Sequence, residues 1–359
     1  MPKLPSTLVS RLSALVVAAA ALGCTAETST TPAAQAVAGS TMDLSDRSWS
    51  FAQIGDHPYT QGKIDSLPAF VSFINSDPSV RMVVHTGDIK AGSKKACTDS
   101  LFALVKSGYD GIRTPFVYTP GDNEWVDCHV AIKANGLYTP TERLDAIRRL
   151  FFPVVGQSLG MQKITTHSQA QTGYAPYAQY VENVWFQQAG VTFGTINIQG
   201  SNDDLAPWGT PLPANASQWP SQAEEHARRV KANLNWIKAI FDVGSSSNGI
   251  VLVYQADMWD PAEPTLAGFD VYVSLIGQLA GQYGKPVLLL HGDSHVFRSD
   301  KPFTANSPFF ALHPNTPIAP NVTRIVNSGS GNVSDYVRIT IDRSGNNPNV
   351  FSWQEVQFK

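Results

Sequence analysis

Cysteine and charge are both scarce in this chain: three cysteines in 359 residues, and 15% charged side chains. None of the cysteines has Cys-x-x-Cys spacing, which excludes a dithiol redox motif or a thiolate zinc site. There is no basic stripe, which argues against nucleic acid as a structural partner. No segment beyond the N-terminus is apolar for long enough to cross a bilayer. Neither a G-x-S-x-G elbow nor an activated cysteine is evident, so a protein nucleophile is not expected. Internal repeats and a second linker are also missing, and roughly 310 residues are read as one domain slightly above the usual single-core size.

The N-terminus reads as a targeting segment. Lys3 and Arg11 precede the apolar run LVVAAAALG, which stops at Cys24. That run has the form of a secretory signal and is too short for a membrane span. Ala21-Leu22-Gly23-Cys24 resembles a lipoprotein signal-peptidase site, so residues 1–24 are expected to be a signal peptide with lipidation at Cys24. Cleavage near Ala36-Val37-Ala38, releasing a soluble product, is the alternative. Residues 25–47 have the Thr, Ala, Ser and Pro composition of a tether, and 48–359 form the domain. The expected location is therefore the cell envelope, periplasm or exterior, with the membrane engaged only through the N-terminal lipid. Loss of Lys3 and Arg11 with the signal moves the net charge from −3 to −5. Cys97 and Cys128 then remain as an even pair in an oxidising compartment, and a disulfide between them would brace two loops. Two unpaired buried thiols are the alternative.

Four apolar strands end in acids: FAQIGD at Asp56, MVVHTGD at Asp88, PFVYTPGDN at Asp122-Asn123, and PVLLLHGDSH at Asp293 and His295. Buried strands carry sites at their carboxyl ends, and an ionised carboxylate there is costly unless it is paired or holds a metal. Converging carboxylates with one imidazole describe a hard-oxygen metal site, and their number favours two ions. Asp293 and His295 face one side if HGDSH is extended.

In order and content these residues resemble the calcineurin-like metallophosphoesterase superfamily, whose blocks run D-x-H, G-D, G-N-H-D/E, a lone His and G-H-x-H. Here the matched positions are Asp56, Gly87-Asp88, Gly121-Asp122-Asn123-Glu124, Gln255 and Gly292-Asp293-Ser294-His295. HTGDIK, TPGDNEWVDCH and HGDSH further resemble a divergent bacterial exported branch of that superfamily. The resemblance implies an α/β/β/α sandwich of two mixed sheets flanked by helices. It also implies metal ligation by Asp56, Asp88, Asp122, Asp293 and His295, with Asp88 bridging, and Asn123 facing a scissile phosphate.

Several positions depart from the pattern. Pro58 stands at the His of D-x-H, Asn123 at the leaving-group acid, Gln255 at the lone His and Asp293 at the first His of the last block. Exchange of imidazoles for oxygen donors favours Mn²⁺ or Mg²⁺, with Ca²⁺, Fe and Zn²⁺ as further options. His57 and His129 are candidates to replace the missing acid, and Glu124 is expected only to support a ligand. The expected activity is hydrolysis of a small phosphoester by a metal-activated water, in a monomer. The alternative is a non-catalytic envelope protein with a degenerate or single-metal site.

Other residues near the site have plainer readings. His85 and His291 are expected to pack inside, and Lys90 to be solvated or to touch phosphate. Tyr59, Tyr118, Trp125 and Trp259 are expected mainly as core, with a stacking platform for a nucleoside or aryl phosphate as the alternative. Gly200-Ser201-Asn202-Asp203-Asp204 reads as a simple turn, with a polar loop that reaches the site as the alternative. Strands and helices alternate to about residue 155. A hairpin follows at 180–198, then a helix capped by Ser221 and Glu224 with Val230, Leu234, Ile237 and Phe241 as its stripe. The close is strand-rich.

Overall fold

The structure is a computed structural model that describes residues 47–92, 95–131, 137–330, 335–345 and 348–358. The expected signal peptide, the lipidated Cys24 and nearly all of the tether lie outside the described residues. Among those described, no helix is long and apolar enough to cross a membrane.

Two mixed sheets form the centre. In the first, β1 (Ser48–Ile54), β2 (Val80–His85) and β3 (Phe116–Tyr118) run parallel. β11 (Asp335–Asp342) pairs antiparallel with β1, and β12 (Phe351–Gln357) lies outside it. The second sheet contains β4 (His167–Ser168), β5 (Val184–Gln188), β6 (Val191–Thr195), β7 (Gly249–Val253), β8 (Val287–His291), β9 (Arg298–Asp300) and β10 (Val322–Val326). Its order is β4-β5-β6-β7-β8-β10-β9, with β6, β7, β8 and β10 parallel.

Alternation along the strands decides the layers. Phe51, Met82 and Val84 of the first sheet meet Phe193, Val251, Leu288 and Leu290 of the second in a common inner core. The intervening residues point outward. Ala52, Ile54 and Val83 pack under α1 (Gln61–Ser76), α2 (Asp99–Tyr109) and α3 (Pro140–Phe151). Ile250, Leu252 and Leu289 pack under α4 (Gln222–Val243) and α5 (Asp270–Tyr283). Each fully buried Val or Leu here contributes roughly 1.5–3 kcal/mol. Two mixed sheets flanked by helices are thus the observed architecture.

The capping box on α4 is present in both halves, Ser221 accepting from the Glu224 amide and Glu224 from the Ser221 amide. Its buried stripe differs from expectation. Glu225, Arg229 and Asn233 are buried, whereas Val230 and Leu234 are only half-buried. The N-terminal half of this helix faces a polar network rather than apolar core.

Candidate metal centre

Among the described residues, the parallel strands β1–β3 of the first sheet and β6, β7, β8 and β10 of the second carry at their carboxyl ends the residues that meet in one region. Ligand atoms of Asp56, Asp88 and His295 lie within 4.8 Å of one another, as do those of Asp88, Asp122 and Asp293. Asp88 belongs to both triads. Asp56, Asp88 and Asp122 are buried, while Asp293 and His295 are partly exposed. The five expected ligands therefore converge.

Three side-chain donors reach Asp88. The Tyr59 hydroxyl lies 3.2 Å from Asp56 Oδ1, 3.0 Å from Asp88 Oδ2 and 3.1 Å from His295 Nε2. Asn123 Nδ2 donates to Asp88 Oδ2 and to the Tyr59 oxygen, each at 2.8 Å. Gln255 Nε2 donates to Asp88 Oδ2 at 3.1 Å and Asp122 Oδ1 at 3.2 Å. Tyr59 reads from the sequence as a core or stacking aromatic near the site loops, and its hydroxyl at the centre of the first triad is new.

Outer groups hold the acids in place. Glu124 Oε1 accepts from the Asp88 and Gly121 amides and the Tyr118 hydroxyl, fixing the second and third strand ends together as expected of a supporting residue. Gly121 must be glycine, because a Cβ there would sit 2.1 Å from Asp88 Oδ1. Asn327, one residue past β10, donates to Asp56 Oδ2 at 3.0 Å and accepts from Thr86 and Gln53. It obeys the same strand-end rule as the acids but is not part of the matched blocks.

The backbone departs from ordinary geometry at the same residues. Asp56, Asp88, Asp293 and His295 have φ of 51°, 62°, 73° and 60°. Non-glycine residues seldom occupy this region, and such strain concentrates at functional sites. HGDSH is accordingly not extended beyond β8. The expectation that alternation aligns Asp293 with His295 fails, although the left-handed turns bring both side chains to the acids.

Charge crowding follows from the geometry. Burial, then Asp122, Glu124, Asp56 and Asp293, push Asp88 well above the usual carboxylate range. Asp293 is pushed well up by burial, then Asp122 and Asp56. Burial, the largest single influence, pulls His295 down, but its hydrogen bond to Asp56 and the charges of Asp56, Asp122 and Asp260 together outweigh it and leave the imidazole raised. Tyr59 is held well above its ordinary value by burial and then by Asp88 and Asp56, so it stays a neutral donor. A donor set of four carboxylates, one imidazole and one phenol fits hard divalent cations, whose charge would oppose this crowding.

Two candidates are not at the site. His57 packs 4.7 Å from Phe70, with Nδ1 3.1 Å from the Tyr109 hydroxyl, and burial lowers its pKa to about 3. His129 Nδ1 accepts from the Gly209 amide at 2.8 Å and its ring stacks on Trp208, which holds it outside the cleft lining. Neither is placed to protonate a leaving group. Lys90 is buried, its ammonium on the Ala91 carbonyl, so it is neither solvated nor aimed at a phosphate. His85, His291, Tyr118, Trp125 and Trp259 are interior residues, as expected.

Of the two readings of the polar run at 200–204, the one that reaches the site holds. Gly200–Asp204 forms a single left-handed turn, and Ser201 Oγ donates to Asp122 Oδ2 at 2.8 Å. Holding non-glycine residues left-handed costs about 1–2 kcal/mol each, so neighbouring contacts must fix the turn. Cys97 and Cys128 have their sulfurs at bonding distance, 1.98 Å, with Cα atoms 5.9 Å apart. The bridge braces the loop bearing Asp122 and Asn123 against the segment before α2. A cleft of about 740 Å³ opens above the triads. Tyr59, Asp88, Asp122, Asn123, Asp293 and His295 line it together with Ser201, Leu205 and Pro264.

No family model matches the chain, and no curated protein is similar to it in sequence. Among solved structures it is similar to GAP50, the anchor in the inner membrane complex of Plasmodium. That alignment has 14% identity and a TM-score of 0.43, covering 87% of this chain and 89% of the other. It is also similar to the glutamine-dependent NAD+ synthetase of Acinetobacter baumannii in complex with ADP. There the identity is 9% and the TM-score 0.30, over 68% of this chain and 38% of the synthetase.

Proposed function

We propose that this chain is a metal-dependent phosphoester hydrolase of the metallophosphoesterase type, acting through two divalent cations. The supporting observation is the pair of ligand triads that share Asp88 at the floor of an open cleft. When bound, two such cations would activate a water and neutralise charge on the transferring phosphoryl group. Asp56 and His295 complete one ligand set, Asp122 and Asp293 the other, with Asp88 common to both. Asn123 and Ser201 line the cleft and can orient phosphate oxygens. Asn123 has no acidic proton to give, so leaving groups of low pKa suit this site best. We also read the protein as exported, either lipidated at Cys24 or soluble. The Cys97–Cys128 pair at bonding distance supports an oxidising compartment.

The ligand census favours oxygen-preferring ions. Metal-stripped protein, reloaded to equal occupancy, should hydrolyse an aryl phosphodiester or phosphomonoester faster with Mn²⁺ or Mg²⁺ than with Zn²⁺. Zinc alone restoring turnover would contradict the carboxylate-rich assignment.

A second reading has its own observation. Tyr59, Asn123 and Gln255 already donate to the acids, so hydrogen bonds can hold the cluster in a non-catalytic envelope protein. On that reading no cation in the panel supports hydrolysis, and the protein binds at most one.

A further inference from the structure

The left-handed turn Gly200–Asp204 is anchored at every residue, and the anchors lead away from the cleft into a buried ion pair. Ser201, Asn202, Asp203 and Asp204 have φ of 54°, 55°, 58° and 64°. At its start, the Gly200 amide donates to Gln255 Oε1 at 2.5 Å, while the other end of that amide group holds Asp88 and Asp122. A Cβ on Gly200 would lie 2.8 Å from both Asp122 Oδ2 and Asp293 Oδ2, so the turn is pressed directly on the second triad. Asn202 Oδ1 accepts from the Gly268 amide at 2.8 Å. Asp204 accepts from Trp208 Nε1 and from Gln222 Nε2, each at 2.7 Å.

Asp203 is the deepest anchor. Arg229 of α4, fully buried, pairs with its carboxylate through NH1 and donates to its carbonyl through NH2 at 2.9 Å. The Tyr272 hydroxyl of α5 donates to the other carboxylate oxygen at 3.0 Å. Arg229 also pairs with Glu225 at 3.0 Å and lies over the Trp125 ring. An unfavourable run of left-handed residues persists only when its surroundings fix it, and Arg229 supplies the fixing contact at both the side chain and the backbone of Asp203.

We propose that Asp203 and Arg229 are positioning residues of the metal centre. They hold the turn so that Ser201 orients Asp122 and Gly200 stays against Asp122 and Asp293. This rests on the reading of Asp122 and Asp293 as cation ligands. Neither Asp203 nor Arg229 touches the reacting groups; their effect passes through the turn. Release of the turn would take the Ser201 hydrogen bond and the Gly200 backbone away from Asp122, loosening its position at the second triad while the Gln255 contact and the fold stay intact.

The test is calorimetric titration of Mn²⁺ into full-length protein, with thermal midpoints in EDTA as the stability control. Asp203→Ala leaves Arg229 paired with Glu225, and Ser201→Ala removes only a partly exposed hydroxyl, so both variants should fold. Each should weaken Mn²⁺ binding at one of two sites by about 10–100-fold, as loss of an outer partner does. The double variant should be no worse than the weaker-binding single, because both changes act on Asp122 through one turn. Glu225→Gln perturbs the same buried ion pair without removing a hydrogen bond to the turn. It should lower the thermal midpoint yet leave Mn²⁺ affinity within about twofold. Equal loss of affinity in Asp203→Ala and Glu225→Gln, or no loss in Asp203→Ala, would overturn the positioning role alone. A wild-type protein that binds no Mn²⁺ would overturn the metal reading and this proposal together.

Discussion

Asp88→Asn should abolish cation binding and phosphoester hydrolysis together, while making the EDTA-treated protein more stable at alkaline pH. Asp88 is the only carboxylate common to both triads, so its loss removes a ligand from each. Hydrolysis should fall by more than about a hundredfold, beyond the 10–100-fold typical of losing an outer partner. The stability effect has the opposite sign because Asp88 is buried among Asp122, Glu124, Asp56 and Asp293, which raise its pKa in the folded protein. For a raised carboxyl, the contribution to stability is fully present below the unfolded value, about 3.9, and is lost as pH rises through the folded value. The neutral amide escapes that loss. In EDTA the thermal midpoint of Asp88→Asn should therefore exceed that of wild type most at high pH, with the gap closing toward pH 4. Adding Mn²⁺ should reverse the order, because only wild type gains stability by binding it. An Asp88→Asn protein that binds Mn²⁺ and turns over at the wild-type rate would refute the shared-ligand assignment.

Replacing both Cys97 and Cys128 by Ala should destabilise the protein by about 3–4 kcal/mol, the loop-closure contribution for their separation of 31 residues. The same change should weaken cation binding, because the bridge lies beside Asn123, whose backbone and side-chain amides both reach Asp88. Thermal unfolding and Mn²⁺ titration of the variant, with and without reductant on the wild type, check both parts. Unchanged stability in the variant, or free thiols in the untreated wild type, would mean that the bridge does not form.

The acids of the site were legible because each obeys a local rule, an acid closing a buried apolar strand. Parallel pairing then brings Asp56 and Asp88 together, whereas the facing of the two sheets and the left-handed turns at Asp293 and His295 complete the cluster. The Ser221–Glu224 cap was legible for the same reason, since both partners lie within one turn of helix. What the sequence hid depends on contacts distant along the chain. His57 and His129 sit close to the acids in sequence, but Tyr109 and Gly209 draw their rings elsewhere. Tyr59 looks like any core aromatic until the turn after β1 folds its hydroxyl over Asp56 and Asp88. The polar run at 200–204 becomes part of the site only because Arg229, in a helix whose stripe reads as apolar, pins it. β4 and β9 span two and three residues, too few for a period to show.

Anomalous diffraction from crystals equilibrated with Mn²⁺ tests the central claim most directly. The account predicts two peaks about 3.5–4 Å apart, one among Asp56, Asp88 and His295 and the other among Asp88, Asp122 and Asp293, with Asp88 contacting both. Crystals showing no Mn²⁺ at either triad, with Tyr59, Asn123 and Gln255 still hydrogen-bonded to the acids, would contradict it.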